Sequence, residues 1–372
     1  MEKRYIEKYP NINISLIDKI FPDIPVSIAS KDLHSNLCNT KAIERIKKHP
    51  DYKSIMLSNG FLGEGWWTVL NKVIPELDDD ILKKQVKDLI KKCQKMGLSG
   101  VHSMENKQAA EIVSKVALSE DFYFTWYYSE LGAGSSIPHS SLPAPHFHPG
   151  GIKIFTDGSL GSDTAWMFEF DTPIDNIFLQ NLKQQVLNAN NHKIQAAIHA
   201  IGDKAVFHVT SILKEVYKEA KYKIKNRIEH LQAVRPVDIP LLKEAHIHAS
   251  MQPVHKKNDD EIINQKWKIA KDYAFPVSQV HENCVLAFGS DSPVETLNPF
   301  EGIKIANKSL PLVEVLKAYT CNHHLIANKK ISYGLIKKNQ IANLIVVDLK
   351  KEFIEETELT MIDGKIVFST TE

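Results

Sequence analysis

From residue 78 onward the sequence alternates two kinds of segment, and this alternation limits the fold more than any other feature. Short apolar or β-branched runs that end in small or polar residues recur as LSGVHSM, FYFTWYYS, IKIFTDG, IQAAIHAIGD, NRIEHLQ, IHASMQP and VLAFGSDSP. Helical stretches such as LQNLKQQVLNANN and KAVFHVTSILKEVYKEAK lie between several of them. DDDILKKQVKDLIKKCQKMG opens on acids, repeats Leu82, Val86, Leu89, Ile90 and Cys93 at helical spacing and stops at Gly97, which predicts an amphipathic helix. Strands apolar on both faces and separated by helices predict a buried parallel sheet built from βαβ units. Seven such strands are present, whereas a closed (β/α)8 barrel needs eight.

The flanks read differently. Residues 1–76 hold a proline-bracketed strand in DIPVSIASKD, a helix in NTKAIERIKK and the aromatic loop NGFLGEGWWTVL. Beyond the helix around LPLVEVLKAYTCNHH, residues 331–372 read as strands and turns, with Asp363-Gly364 as a hairpin signal. The 46 Lys+Arg against 45 Asp+Glu leave a formal charge of +1, so no nucleic-acid or membrane partner is expected. The opening residues lack an apolar run that could direct secretion, and no stretch of about 18 apolar residues occurs. Cys38, Cys93, Cys284 and Cys321 lie far apart with no CxxC pair, which speaks against a zinc knuckle or disulfide framework and for a reducing compartment. A cytoplasmic location is expected.

Chemistry collects at the strand ends. His199 closes QAAIHAIGD, His230 closes RIEHLQ, Asp291 closes LAFGSDSP, and Lys153 lies inside the strand before them. In a (β/α)8 barrel such ends converge in one mouth, and two imidazoles with a carboxylate there suit zinc or a similar divalent metal. Lys153, between Ile152 and Ile154, has three readings. It snorkels to water, it pairs with Asp157 on the same strand face, or it has reacted with CO2 to form a carbamate whose oxygens bind metal. Each histidine taken alone also reads as a hydrogen-bonded core residue. His255 after SMQP and His34 in SKDLHSN read as substrate contacts or surface-loop residues, and Trp66-Trp67 as a packed loop or a pocket wall.

In order along the chain, GGIKIFTDGSLGSDTA, HAIGDKAV, RIEHLQAV, SMQPVH and GSDSPVETLNPF resemble the amidohydrolase superfamily. Within it they are similar to the metal-dependent hydrolases that include N-substituted formamide deformylases. SIASKDLHSNLCNTKAI resembles that group's inserted segment, and IANLIVVDLKKEF with TMIDGKIVF the second half of its composite β-sandwich. The resemblance implies an α/β fold: a metal-dependent-hydrolase (β/α)8 TIM-type barrel lacking its first strand, with a partial C-terminal β-sandwich. It implies an inserted segment over residues 1–76 preceding the second barrel strand, a barrel core over 77–330 and a half sandwich over 331–372. It further implies hydrolysis of a non-peptide, amide-type carbon–nitrogen bond in a small molecule by a metal-activated water. Lys153, His199, His230 and Asp291 match the ligand positions for a divalent metal such as zinc, with a CO2-derived carbamate on Lys153. Asp291 is also the implied catalytic base and acid, and His255 and His34 are assigned to substrate. His102, which also ends a strand, has no implied metal role.

The group's first barrel strand ends in His-x-His, and residues 1–23 contain no histidine. His146-Phe147-His148 and His246-Ile247-His248 precede their strands and are expected on the opposite face of the sheet. The expectation is therefore a family member lacking its N-terminal part. It holds at most one tight ion, on His199 and His230 with Lys153 joining when carboxylated, and hydrolyses weakly or not at all. A catalytically impaired remnant that binds a small molecule is the alternative; a lyase on the same barrel needs a carbanion stabiliser for which no motif is present. Unpaired strand edges and apolar faces such as Leu344, Val346 and Ile366 predict a homo-oligomer or poor solubility.

Overall fold

In a computed structural model the chain is described over residues 12–31, 33–56, 59–63, 66–70, 72–75, 77–129, 145–329, 333–348 and 356–371. The side chains of Trp67 and Thr68 lie outside the described part. The chain divides into two compact units, residues 1–77 with 158–165 and residues 78–157 with 166–372.

In the first unit β1 (Ser27–Ala29), β2 (Asn36–Cys38) and β3 (Phe61–Leu62) form an antiparallel sheet. Helix Thr40–Ile46 starts where it does because the buried Asn39 side chain accepts the Ala42 N–H at 3.0 Å. The same amide accepts the Val26 N–H at 2.9 Å and donates to the Phe21 and Ile24 carbonyls at 3.1 and 2.8 Å. One side chain with every polar atom engaged thus joins the helix to the segment before the sheet. Cys38, Ile43, Ile46, Leu62, Val69 and Leu70 fill the small core. Trp66 donates its indole N–H to the Leu33 carbonyl at 3.0 Å, whereas the Trp67 side chain is outside the described residues.

The second unit opens with helix Asp79–Lys95, capped by Asp78, which accepts the Asp80 N–H at 2.8 Å. Its sheet holds β4 (Gly100–Ser103), β5 (Tyr123–Tyr128), β6 (Phe147–Phe155), β7 (Gln195–Ala200), β8 (Arg227–His230), β9 (His248–Met251) and β10 (Val285–Phe288). The spatial order is β10-β9-β8-β7-β6-β5-β4 and every pair is parallel. Among the described residues this is the expected TIM-type α/β sheet with seven strands, β4 and β10 at its edges. Ala196, Ile198, Ile228 and Leu286 are fully buried. Val209, Leu213 and Val216, three or four residues apart on helix Asp203–Glu219, bury the matching apolar stripe. Each such leucine, isoleucine or valine contributes ~1.5–3 kcal/mol through burial.

A short helix, Asn322–Ile326, meets both edges. Asn322 donates its side-chain N–H to the Leu286 carbonyl of β10 at 2.8 Å, and the His323 ring lies 5.0 Å from the His102 ring of β4. At the C-terminus β11 (Leu344–Val347), β12 (Thr357–Ile362) and β13 (Lys365–Ser369) form an antiparallel sheet. Asp363 and Gly364 join the last two with φ of 53° and 78°, the left-handed pair that a two-residue hairpin turn requires. Thr360 Oγ1 bonds the Gln94 carbonyl and Tyr123 Oη bonds Asp363 Oδ1, both at 2.6 Å, so this sheet is fastened to the barrel helix and to β5. Leu344, Val346 and Ile366 are exposed. No helix among the described residues is long and apolar enough to cross a membrane.

Candidate metal centre

The C-terminal ends of parallel strands place three donors together. β8 ends on His230; Gln252 follows β9 and leads into helix Pro253–Lys266, whose first turn carries His255; Asp291 lies just beyond β10. One ligand atom from each of His230, His255 and Asp291 lies within 4.8 Å of the other two. His230 Nδ1 is 2.9 Å from Gln252 Oε1. An amide oxygen only accepts, so Nδ1 carries the proton and Nε2 keeps its lone pair, the tautomer of a metal-binding imidazole. His255 Nε2 is buried without a hydrogen-bond partner and lies 3.5 Å from Asp291 Oδ2. An orphaned imidazole nitrogen, a second imidazole with its outer nitrogen fixed and a carboxylate fit a zinc-type ion. His230 and Asp291 have φ of 75° and 57°, a conformation that costs a non-glycine residue ~1–3 kcal/mol and persists only where the surroundings enforce it.

The remaining expected residues take different places. Lys153 is buried in β6 and pairs in register with Ala197, which pairs with Arg227, so alternation puts Lys153 and Arg227 on one face. Burial lowers the Lys153 ammonium, the Glu229 and Asp291 carboxylates oppose that shift, and Arg227 adds to it. Asp157, the alternative partner for Lys153, accepts the N–H groups of Ile201, Gly202 and Trp166 at 3.1, 2.9 and 3.0 Å. His199 Nε2 stands 3.5 Å from Asp157 Oδ1, while the His199 ring lies 4.5 Å from that of His230. His199 therefore borders the cluster with Nε2 facing Asp157. His255, which the sequence assigns to substrate, stands with His230 and Asp291. His34 lies in the first unit, half-buried on the bend before β2.

Burial pushes His230 down to about 4, against the pull of Asp291. His255 is shifted the other way, because the Asp291 carboxylate outweighs its burial. Beside them runs a buried charge network that the motifs did not single out. Arg227 is ion-paired to Glu229 and reaches His102 Nδ1 at 2.8 Å, Tyr127 Oη at 3.4 Å and Ser250 Oγ at 3.5 Å. Burial raises the Glu229 carboxyl, yet the Arg227 charge and hydrogen bond hold it below its ordinary value. The alternation in RIEH is the signal that puts the two on one face. On the opposite, N-terminal side of the sheet, His146 Nε2 lies 2.7 Å from Asp363 Oδ2, and the His246 ring stacks on Tyr217 at 4.3 Å.

Known proteins resemble this chain in sequence and in fold. Residues 12–368 match the profile of the amidohydrolase family. The protein LONG AFTER FAR-RED 3 of Arabidopsis thaliana is 35% identical over 186 residues, which are 47% of this chain and 32% of that protein. The chain thus spans about a third of that relative. YtcJ of Bacillus subtilis, named as an amidohydrolase, is 24% identical over 411 aligned positions, 95% of this chain and 75% of its own. Among solved structures, a metal-dependent hydrolase of Pyrococcus horikoshii shares the fold, with a TM-score of 0.66 at 21% identity over 87% of this chain and 72% of that one.

Proposed function

Because the chain belongs to the amidohydrolase family, we propose that it is a metal-dependent hydrolase that cleaves an amide-type carbon–nitrogen bond in a small molecule. The observation that carries this reading is the convergence of His230, His255 and Asp291 beyond the ends of three adjacent parallel strands. Two imidazoles and a carboxylate favour zinc among the divalent ions. A divalent ion there supplies Lewis acidity and makes hydroxide available near neutral pH. Asp291 accepts the proton of the attacking water at a carboxylate oxygen and passes it to the departing nitrogen. Gln252 holds the His230 ring through Nδ1. Burial favours the neutral amine of Lys153, the form that adds CO2, which supports a carbamate as a further oxygen ligand.

Unpaired cysteines support a reducing, cytoplasmic setting, and the exposed apolar residues of β11 and β13 support self-association. The test is hydrolysis of N-formyl and N-acetyl amines by the purified chain with added Zn2+, with a chelator, and with Asp291→Asn. Chelator-sensitive turnover that falls at least ~100-fold in D291N is expected. Turnover indifferent to both overturns the proposal.

A further inference from the structure

A cavity of about 320 Å³ lies where β9 and β10 begin, on the opposite, N-terminal side of the sheet from His230 and Asp291. That volume is at the low end of the range that holds small molecules. His248, the first residue of β9, lines the cavity and pairs in register with Arg227 of β8 and Val285 of β10. It is 4% exposed, and its Nδ1 is buried without a hydrogen-bond partner. A buried imidazole nitrogen left unmatched costs stability, so the position favours a partner brought in from outside.

Two ammoniums line the same cavity, Lys225 on the segment before β8 and Lys243 in the last turn of helix Ile239–Glu244. Among the described residues neither is ion-paired, whereas Lys214 is held by Glu244. The carbonyl end of its helix accounts for part of the Lys243 charge, but Lys225 lies on no helix. Of the other lining groups, His281 Nε2 stands 3.7 Å from Glu314 Oε2 and the His246 ring stacks on Tyr217. Glu282 is the one carboxylate in the lining, so the cavity keeps a net positive charge with its histidines neutral.

We propose that this cavity binds a small oxyanion, a carboxylate or phosphate group, held by the ammoniums of Lys225 and Lys243 and by the Nδ1–H of His248. The site is separate from the metal centre and does not rest on the hydrolase reading. Burial and the Lys225 charge push the His248 imidazole down to about 4, against the pull of Asn328. An anion accepting Nδ1–H stabilises the imidazolium, so the ring then takes up its proton at higher pH.

The experiment uses the full chain stripped of metal, so that no ion at His230 and Asp291 competes for the anion, in chloride buffer at constant ionic strength. Sodium phosphate and sodium acetate are titrated separately by calorimetry, and histidine resonances are followed by NMR through a pH series with and without each anion. One equivalent is expected to bind. Lys225→Met with Lys243→Met, both at exposed positions outside the core, should weaken binding about tenfold or more. The anion should also move one buried histidine, the resonance missing in His248→Asn, to a higher titration midpoint. Tighter binding of phosphate assigns the site to phosphorylated ligands, and tighter binding of acetate assigns it to carboxylates. The inference is overturned if neither anion binds saturably, if K225M/K243M binds as tightly as the wild type, or if the His248 resonance does not move.

Discussion

Arg227→Met removes the cation of a buried pair whose partners are 2% and 3% exposed. Glu229 then keeps its charge in a site that was neutralised by the guanidinium, and His102 Nδ1 loses its 2.8 Å neighbour. Breaking a buried pair from one side costs ~3–5 kcal/mol, and an orphaned hydrogen-bond partner adds ~1 kcal/mol. Against a total stability of ~5–15 kcal/mol, R227M should give up a third or more of the fold's stability. Adding Glu229→Gln replaces the stranded carboxylate with a neutral amide, whose imperfect burial costs only ~1–3 kcal/mol. R227M/E229Q should therefore be more stable than R227M by ~2 kcal/mol. Urea unfolding of the metal-free proteins, followed by tryptophan fluorescence and far-ultraviolet dichroism, measures both differences. If R227M stays within about 1 kcal/mol of the wild type, or the double variant is the less stable one, Glu229 is compensated by Lys153 and the pair does not work as described.

Acidification provides an independent check. Burial pushes His248 and His323 down to about 4, while unfolded imidazoles titrate near ~6.5, so the unfolded chain binds more protons between those values. Stability is full above pH ~6.5 and declines toward pH 4, each group costing ~2 kcal/mol at pH 5; equal urea midpoints at pH 5 and pH 8 contradict this. Burial raises the Cys93 and Cys284 thiols to about 11 and about 12, so in the native protein at pH 8 both should resist iodoacetamide until unfolding exposes them, and rapid native labelling of either would refute their placement. Gly202→Ala sets a Cβ 2.1 Å from the Trp166 carbonyl oxygen, and the forced shift should lower stability by ~1–3 kcal/mol; an unaltered melting temperature in calorimetry argues against so close an approach of the turn after β7 to Trp166.

Much of this architecture is legible in the sequence because buried parallel strands leave a coarse pattern. Apolar runs ending in small residues mark all seven strands, and His230 and Asp291 sit where two of them stop. The finer placing of His199 and His255 around them is not legible. It depends on the helix starting at Pro253, on Gln252 reaching back to His230, and on Asp157 being drawn to backbone N–H groups. None of these leaves a periodic trace. The left-handed backbone at His230 and Asp291 is equally silent, since neither residue type announces a positive φ as glycine does. The Asn39 hub escapes for a related reason: an asparagine before a helix signals a cap, not its three further bonds to Phe21, Ile24 and Val26.

The strand order of the parallel sheet also bears on how the protein is made. Among the described residues each strand from β4 through β10 pairs with its neighbours in sequence. Here each pairing closes a loop of roughly a few tens of residues, and loop-closure entropy rises only slowly with length. The sheet can therefore grow in register behind the ribosome, each new strand docking on the one synthesised before it. Asn322 and His323 reach the two outermost strands only after the last of them has been laid down.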